Sequence, residues 1–393
     1  MQTGRLFYED SAIRTFSALV IGCEKCADGY AVTLDRTAFF PGGGGQACDT
    51  GTLDGIPVTK VTEQDGQILH ICPSPLEPWK TVQGVLNWDI RLDQMQQHSG
   101  EHIVSGIIHR VYGYHNVGFH VGADAVTIDF DGVLPLNALE QIEEAANRAI
   151  WENLPVSCTY PEETELKTIS YRSKKALAWP VRIVRIGEVD CCACCGVHVK
   201  YTGQIGLIKL LSCTKFHQGV RIEMLCGRRA LALLNRAFSQ NRQVSQAFSA
   251  KILETGAAAE KMNEALSAEK FRASALEKRL FAITARDCAG KGNVARFEPG
   301  LTPGGVRALA EEISLTCGGT AAVFSGSDES GYSLCVAQGD AAGVFAVLRQ
   351  KLGVRGGGNH GFFQGSVRAT AAQISEALAE ISPAFVYCGD SEG

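Results

Sequence analysis

Apolar and polar positions change period several times along the chain, and the changes mark out its parts. Up to about residue 88, short apolar runs are separated by turn residues. Tyr30-Ala31-Val32-Thr33-Leu34 alternates as a half-buried strand does, and Val58 to Val61 gives a second strand-like piece. Between them stand Gly42, Gly43, Gly44 and Gly45, which cannot form the interior of a helix or strand at reasonable cost. They predict a loop whose backbone approaches a ligand closely. Residues 1–88 therefore read as a β-rich, barrel-like domain.

From Asp89, a plausible N-cap, the period becomes helical through Leu92, Met95, Ile103, Ile107 and Ile108. Strand-like runs return at Val126 to Phe130 and Val181 to Ile186, with an acidic-faced helix at Ala138 to Glu152 between them. Residues 89–227 thus read as an α+β unit. From 228 to 285 glycine is sparse and proline absent. Leu234, Phe238, Phe248, Leu266, Leu276 and Leu280 recur among charged residues, predicting one or two long, coiled-coil-like helices with a break at Thr255-Gly256. In 286–393, strand-like runs (Ala321 to Phe324, Ser333 to Ala337, Ala384 to Cys388) alternate with helical ones (Val306 to Ser314, Ala341 to Leu352, Ala371 to Ile381). That order predicts a small α/β domain. The whole is an α+β chain of four parts.

A length of 393 residues suits two or three packed domains. The net charge of −5 gives no general affinity for polyanions, so any nucleic-acid contact needs a local patch. No apolar run is long enough to span a bilayer. The first residues lack the basic-then-apolar order of a secretory signal, and the 15 cysteines then point to a reducing, cytoplasmic setting rather than a disulfide framework.

Two segments carry ligand chemistry. His98 and His102 lie four apart in the helical stretch, hence on one face. Some ninety residues on, Cys194 and His198 repeat that spacing within Cys191-Cys192-Ala193-Cys194-Cys195-Gly196-Val197-His198. Imidazole plus thiolate is a donor mixture suited to one zinc ion. Two other readings stay open. Four such donors already close a tetrahedron, as in a purely structural site. His98-Ser99-Gly100-Glu101-His102 also fits the H-x-x-E-H order of some peptidases, with Glu101 as base and no task for Cys194 and His198.

These motifs, taken in order, resemble the long-form alanyl-tRNA editing proteins of the AlaX type, free-standing relatives of the editing region of alanyl-tRNA synthetase. The likeness runs through Leu34 to Pro41 with Gly44-Gly45-Gln46, Asp89 to His102, Ala193 to Val199, Gly206 to Lys209 and Gly219 to Glu223. Residues 286–393 resemble a DHH-associated carboxy-terminal domain with its glycine segment at Gly356 to Gly358. No DHH signature accompanies it, so phosphodiester hydrolysis is not expected. Val197 stands where the family often has threonine and Glu101 where glutamine is common; neither removes a ligand.

The resemblance implies trans-editing hydrolysis of mischarged tRNA(Ala), chiefly the seryl and secondly the glycyl form, beside one Zn2+ held by His98, His102, Cys194 and His198. A small synthetase pocket rejects an added hydroxyl or a missing methyl poorly, so a second hydrolytic site has a purpose. Thr37 is the implied contact for the serine hydroxyl. Gln46 is a candidate to hold the ester or terminal ribose, with Gly44 and Gly45 lining the same loop. By residue type alone, Thr37 and Gln46 suit turn chemistry equally well. Arg182, Lys209, Lys215 and Arg221 are the leading candidates for the tRNA acceptor end, with Arg172, Lys174, Lys175, Arg185, Arg228 and Arg229 behind them. The helical segment or the last domain offers a surface for a homodimer. The rival from another class is a tRNA-binding module with a structural zinc and no deacylase activity.

Overall fold

The computed structural model describes residues 2–173 and 177–388. Lys174 and Lys175 lie outside the described residues. The chain divides into two compact units, Met1–Gln243 and Val244–Gly393.

In the first unit, seven antiparallel strands are hydrogen-bonded in the order Ile56–Val58, Gly51–Leu53, Thr81–Leu86, Thr15–Cys26, Gly29–Leu34, Gln67–Cys72 and Lys60–Gln64. The 12-residue strand Thr15–Cys26 turns the corner. Its first half pairs with Thr81–Leu86, its second with Gly29–Leu34, and a register shift between Val20 and Gly22 bends it. The two outermost strands are joined only by Thr59, whose N–H reaches back to Ile71 O, so the sheet is nearly a closed barrel. Thr81–Leu86 alternates out and in as expected for a half-buried strand. The expected piece Val58 to Val61 spans the junction of two strands rather than forming one.

Helix Trp88–Tyr112 joins this barrel to the rest of the unit. Asn87, not Asp89, caps it: its side chain accepts the Ile90 N–H, while Asp89 sits in the first turn. There a negative charge suits the helix dipole. Arg91, fully buried, runs from this helix into the barrel. Its Nε donates to both Asp49 carboxylate oxygens (2.9 and 3.0 Å), and its Nη1 donates to Ser11 O. Asp49 in turn accepts the Phe40 N–H at 2.6 Å. The loop holding the four glycines is therefore tied to the helix holding His98 and His102.

Around the helix lie a four-stranded antiparallel sheet (Asn116–Val121, Val126–Phe130, Gly219–Cys226, Ile208–Phe216), the helix Ala138–Trp151, and a three-stranded sheet (Val156–Thr159, Ile183–Ile186, Asp190–Ala193). A single apolar core runs from Phe7 through Phe39, Ile103 and Ile128 to Cys226.

The second unit contains the 33-residue helix Thr255–Asp287 and a mixed six-stranded sheet. The strand order is Arg355–Asn359, Phe362–Val367, Gly331–Ala337, Gly318–Ser327, Gly292–Phe297 and Val386–Tyr387. Helix Pro303–Cys317 packs in one core, helices Ala341–Leu352 and Ala371–Ala379 in another. Thr255 opens its helix rather than breaking it; the preceding helix, Gly227–Ala247, ends eight residues earlier.

Candidate metal centre and cleft

His98 and His102 point from one face of helix Trp88–Tyr112 toward Cys194 and His198, which follow strand Asp190–Ala193. One donor atom from each of the four lies within 4.8 Å of all the others. All three imidazoles are 98–99 % buried.

Each imidazole is aimed by what its Nδ1 meets. The Val197 backbone N–H donates to Gln46 Oε1 at 3.0 Å, which fixes that atom as oxygen. His98 Nδ1, 2.9 Å from the same oxygen, must then carry the proton and donate. His102 Nδ1 is 2.8 Å from Asp190 Oδ2, a carboxylate that only accepts. Asp190 is held from behind by Arg172, through Nε at 2.7 Å and Nη2 at 2.9 Å. His198 Nδ1 lies 3.3 Å from Ser99 Oγ, which also accepts the Val199 N–H. Nδ1 thus carries a proton in His98 and His102, so the donor each would turn to the cluster is Nε2; at His198 the Ser99 hydroxyl can donate or accept.

The buried thiol and imidazoles also act on one another's charge. Burial alone would raise the Cys194 thiol, but His98, His198 and His102 outweigh it and hold Cys194 well below the ordinary thiol range. Burial likewise disfavours a charged His102, yet Cys194 and Asp190 overcome it and raise His102 above its usual value. His198, with burial dominant, is pushed down to about 3 and stays neutral.

These residues fit a metal ion. His198 Nε2 is buried with no hydrogen-bond partner among the described residues. Cys194 Sγ lies 3.5 Å from His98 Nε2. A tetrahedral zinc with bonds of about 2.0 Å to nitrogen and 2.3 Å to sulfur would separate two such donors by about 3.5 Å. Gly196 makes the approach possible, since a Cβ there would stand 2.2 Å from His98 Cε1.

The centre is part of the floor of a cleft of about 710 Å³. Glu101 and Cys192 also line it, as do Gly44, Gly45 and Phe119, the last stacked on His98 at 5.0 Å. All four loop glycines have positive φ, and a Cβ on Gly45 would strike Phe119 at 2.5 Å. Glu101 is bound by Ser105 Oγ and Asn116 Nδ2. Gln46 Nε2 is a buried donor without a partner among the described residues.

Other expected residues lie elsewhere. Thr37 is fully buried in the barrel. Its Oγ1 sits 2.8 Å from His70 Nε2 and accepts the Phe39 N–H; it is not among the residues lining the cleft. Arg182 does line it, but its Nη1 donates to Cys194 O and Gly196 O. Arg221 is paired with Asp129 and stacked on Phe216, Lys209 with Glu143, Arg229 with Asp93 and Arg228 with Asp89. Lys215 and Arg185 are exposed. Sequence reasoning missed Asp190 and Ser99 behind the imidazoles and the aromatic wall of Tyr8 and Tyr160, and it named Arg172 only as a candidate tRNA contact, where the structure pairs it with Asp190. Asp190 left a signal in its place beside the cysteine run, and Ser99 in its place between the two histidines.

Residues 181–223 match the family described as the threonyl and alanyl tRNA synthetase second additional domain. The alanyl-tRNA editing protein AlaX-L of Pyrococcus horikoshii is 35 % identical over 243 residues, 59 % of this chain and 60 % of that protein. The alanyl-tRNA editing protein Aarsd1-A of Xenopus laevis is 30 % identical over 281 residues, 70 % of this chain and 68 % of its own length. An alanine–tRNA ligase of Pyrobaculum neutrophilum is 28 % identical over 96 % of this chain and 44 % of its own. The chain thus spans about three fifths to two thirds of the editing proteins it matches. On the strength of that likeness and of the clustered motifs, this chain belongs to the alanyl-tRNA editing protein family.

Proposed function

We propose that this protein hydrolyses the ester of mischarged tRNA(Ala) in trans, chiefly the seryl form and secondly the glycyl form. The observation that carries the reading is the convergence of four zinc-type donors, three of which (His98, His102 and Cys194) line a cleft shared with the glycine loop. His98, His102, Cys194 and His198 would hold one zinc ion. Bound there, zinc would supply Lewis acidity to a carbonyl or to water.

The chain's own residues account for the rest of the reading. Gln46 has its carbonyl occupied and its amide protons free, so Nε2 is suited to hold the ester oxygen. Backbone at Gly44 and Gly45 lets the acyl end come close. For Thr37 the proposal carries a condition: Oγ1 must give up His70 Nε2 to reach a serine hydroxyl. Thr37→Val should erase the preference for seryl over alanyl substrate; unchanged preference would leave Thr37 as barrel packing. The acceptor end of tRNA(Ala) is the proposed macromolecular partner, with Lys209, Lys215, Arg182 and Arg221 as its contacts. Such a reaction belongs to the cytoplasm. No helix among the described residues is long and apolar enough to cross a membrane.

The test is deacylation of seryl-, glycyl- and alanyl-tRNA(Ala) with bound zinc quantified. His98→Ala or Cys194→Ala should lose metal and activity together, and chelation should do the same. Full activity in zinc-free protein would refute the role. A second reading keeps one observation in its favour: four protein donors already complete a tetrahedron. As a tRNA-binding module with structural zinc, the protein would bind tRNA and release no amino acid in that assay.

A further inference from the structure

The cleft is larger than an amino acid needs. At about 710 Å³ it falls within the roughly 300–1,000 Å³ of sites that bury a drug-sized ligand. Its outer wall differs in kind from its floor. Tyr8 and Tyr160 line it, with ring centroids 6.4 Å apart and planes 68° from parallel. Tyr8 is fixed: its hydroxyl donates to Cys195 O at 2.7 Å, and the Arg182 guanidinium lies over its ring at 4.4 Å. Tyr160 is 54 % exposed. The backbone beside it is anchored, because Trp179 Nε1 donates to Pro161 O at 3.2 Å.

Among the described residues, each arginine lining this wall has partners inside the protein. Arg5 pairs with Glu63 at 2.6 Å, Arg172 with Asp190, and Arg182 with two carbonyls. What the wall still offers is an open aromatic surface on a rigid support. Unpaired nucleobases bind such surfaces by stacking, whatever their sequence.

Resting on the hydrolase reading above, we propose that Tyr160, braced by Tyr8, stacks the terminal unpaired base of the aminoacylated tRNA end. The cleft then takes the acyl group at its floor and the terminal nucleoside at its mouth. Tyr160 would be a positioning residue that aligns the ester with the floor, remote from the reacting atoms themselves.

The experiment uses the full-length, zinc-loaded protein with two probes: seryl-tRNA(Ala) for kinetics, and adenosine 5′-monophosphate alone for binding. Tyr160→Ala should weaken nucleotide binding and raise KM by roughly five- to 150-fold, with kcat little changed. Tyr160→Phe, which keeps the ring, should restore both. Zinc content and melting temperature of both variants should equal the wild type's. Nucleotide binding and KM untouched in Tyr160→Ala would overturn the proposal. So would a KM defect accompanied by zinc loss or a lower melting temperature, which marks a structural role. A wild-type protein that binds the nucleotide through Tyr160 but deacylates nothing would refute the hydrolase reading and leave the stacking site standing.

Discussion

Gln46 separates two tasks within one side chain. Its Oε1 accepts from both Val197 N–H and His98 Nδ1–H, which orients a proposed ligand, while its Nε2, a buried donor without a partner among the described residues, is the group proposed for substrate. Gln46→Glu keeps two acceptors and deletes the amide donor. Zinc should stay bound while deacylation falls by about 10²-fold, the usual cost of one lost transition-state donor. Gln46→Leu should lose zinc affinity as well. Asp190→Asn should lower zinc affinity by roughly ten- to a hundredfold, since it weakens the acceptor that aims His102. Away from the centre, His70 makes a different prediction. Burial depresses its pKa to about 4, although its bond to Val32 O pulls the other way. The folded protein therefore refuses a proton that the unfolded chain accepts below about pH 6.5. Stability from this group is complete above 6.5. It should decline by up to about 1.4 kcal/mol per pH unit as pH falls toward 4. Urea midpoints at pH 7 and 5 check it: the loss should shrink in His70→Gln.

Helix Trp88–Tyr112 is the element on which the site depends. Between Gln94 and Ile108 every residue but Gln96 is buried, so the helix has no solvent face there. That explains why its apolar period was only partly visible and why His98 and His102 were ambiguous in sequence. Its end at Asn87 was equally hard to place, because Asn87 and Asp89 are both good cap residues and only backbone geometry chooses between them. Arg91 and Asp49 lock this helix to the glycine loop inside the barrel. Arg91→Leu would strand a buried carboxylate, and we expect a loss of about 3–5 kcal/mol in denaturant unfolding. In the second unit the run Gly356-Gly357-Gly358, part of the family likeness, lies in the edge strand Arg355–Asn359. Side chains are excluded there by the neighbouring strand, since Cβ atoms on Gly356 and Gly358 would meet Gln364 O and Phe362 O at 2.1 and 1.9 Å.

On the scale of the whole molecule, apolar surface and charge are distributed unevenly. Helix Thr255–Asp287 exposes Met262, Leu266, Leu276, Leu280 and Ile283, each more than half accessible and three, four or ten residues apart, as along one helical seam. We propose that a second copy of the chain covers this seam. Leu276→Lys with Leu280→Lys should convert a dimer into a monomer in sedimentation experiments; wild-type protein that sediments as a monomer would end the idea. The cations expected to meet tRNA are largely paired within the protein, with Lys215 exposed. Lys215→Glu should therefore weaken tRNA binding and flatten its salt dependence more than a change at Lys209.

Periodicity and residue type located part of the strands and helices of both units, the glycine loop and the two half-sets of ligands, because each is a local property of neighbouring residues. They also carried the family likeness, since ordered motifs survive without knowledge of their partners. Tertiary structure alone decided that the half-sets meet, what each imidazole Nδ1 faces, that Thr37 turns inward to His70, and that Tyr8 and Tyr160 wall the cleft. Those outcomes depend on contacts between residues up to 187 positions apart, such as Tyr8 with Cys195. No local pattern encodes such a pairing; it exists only once the core has folded and excluded the alternatives.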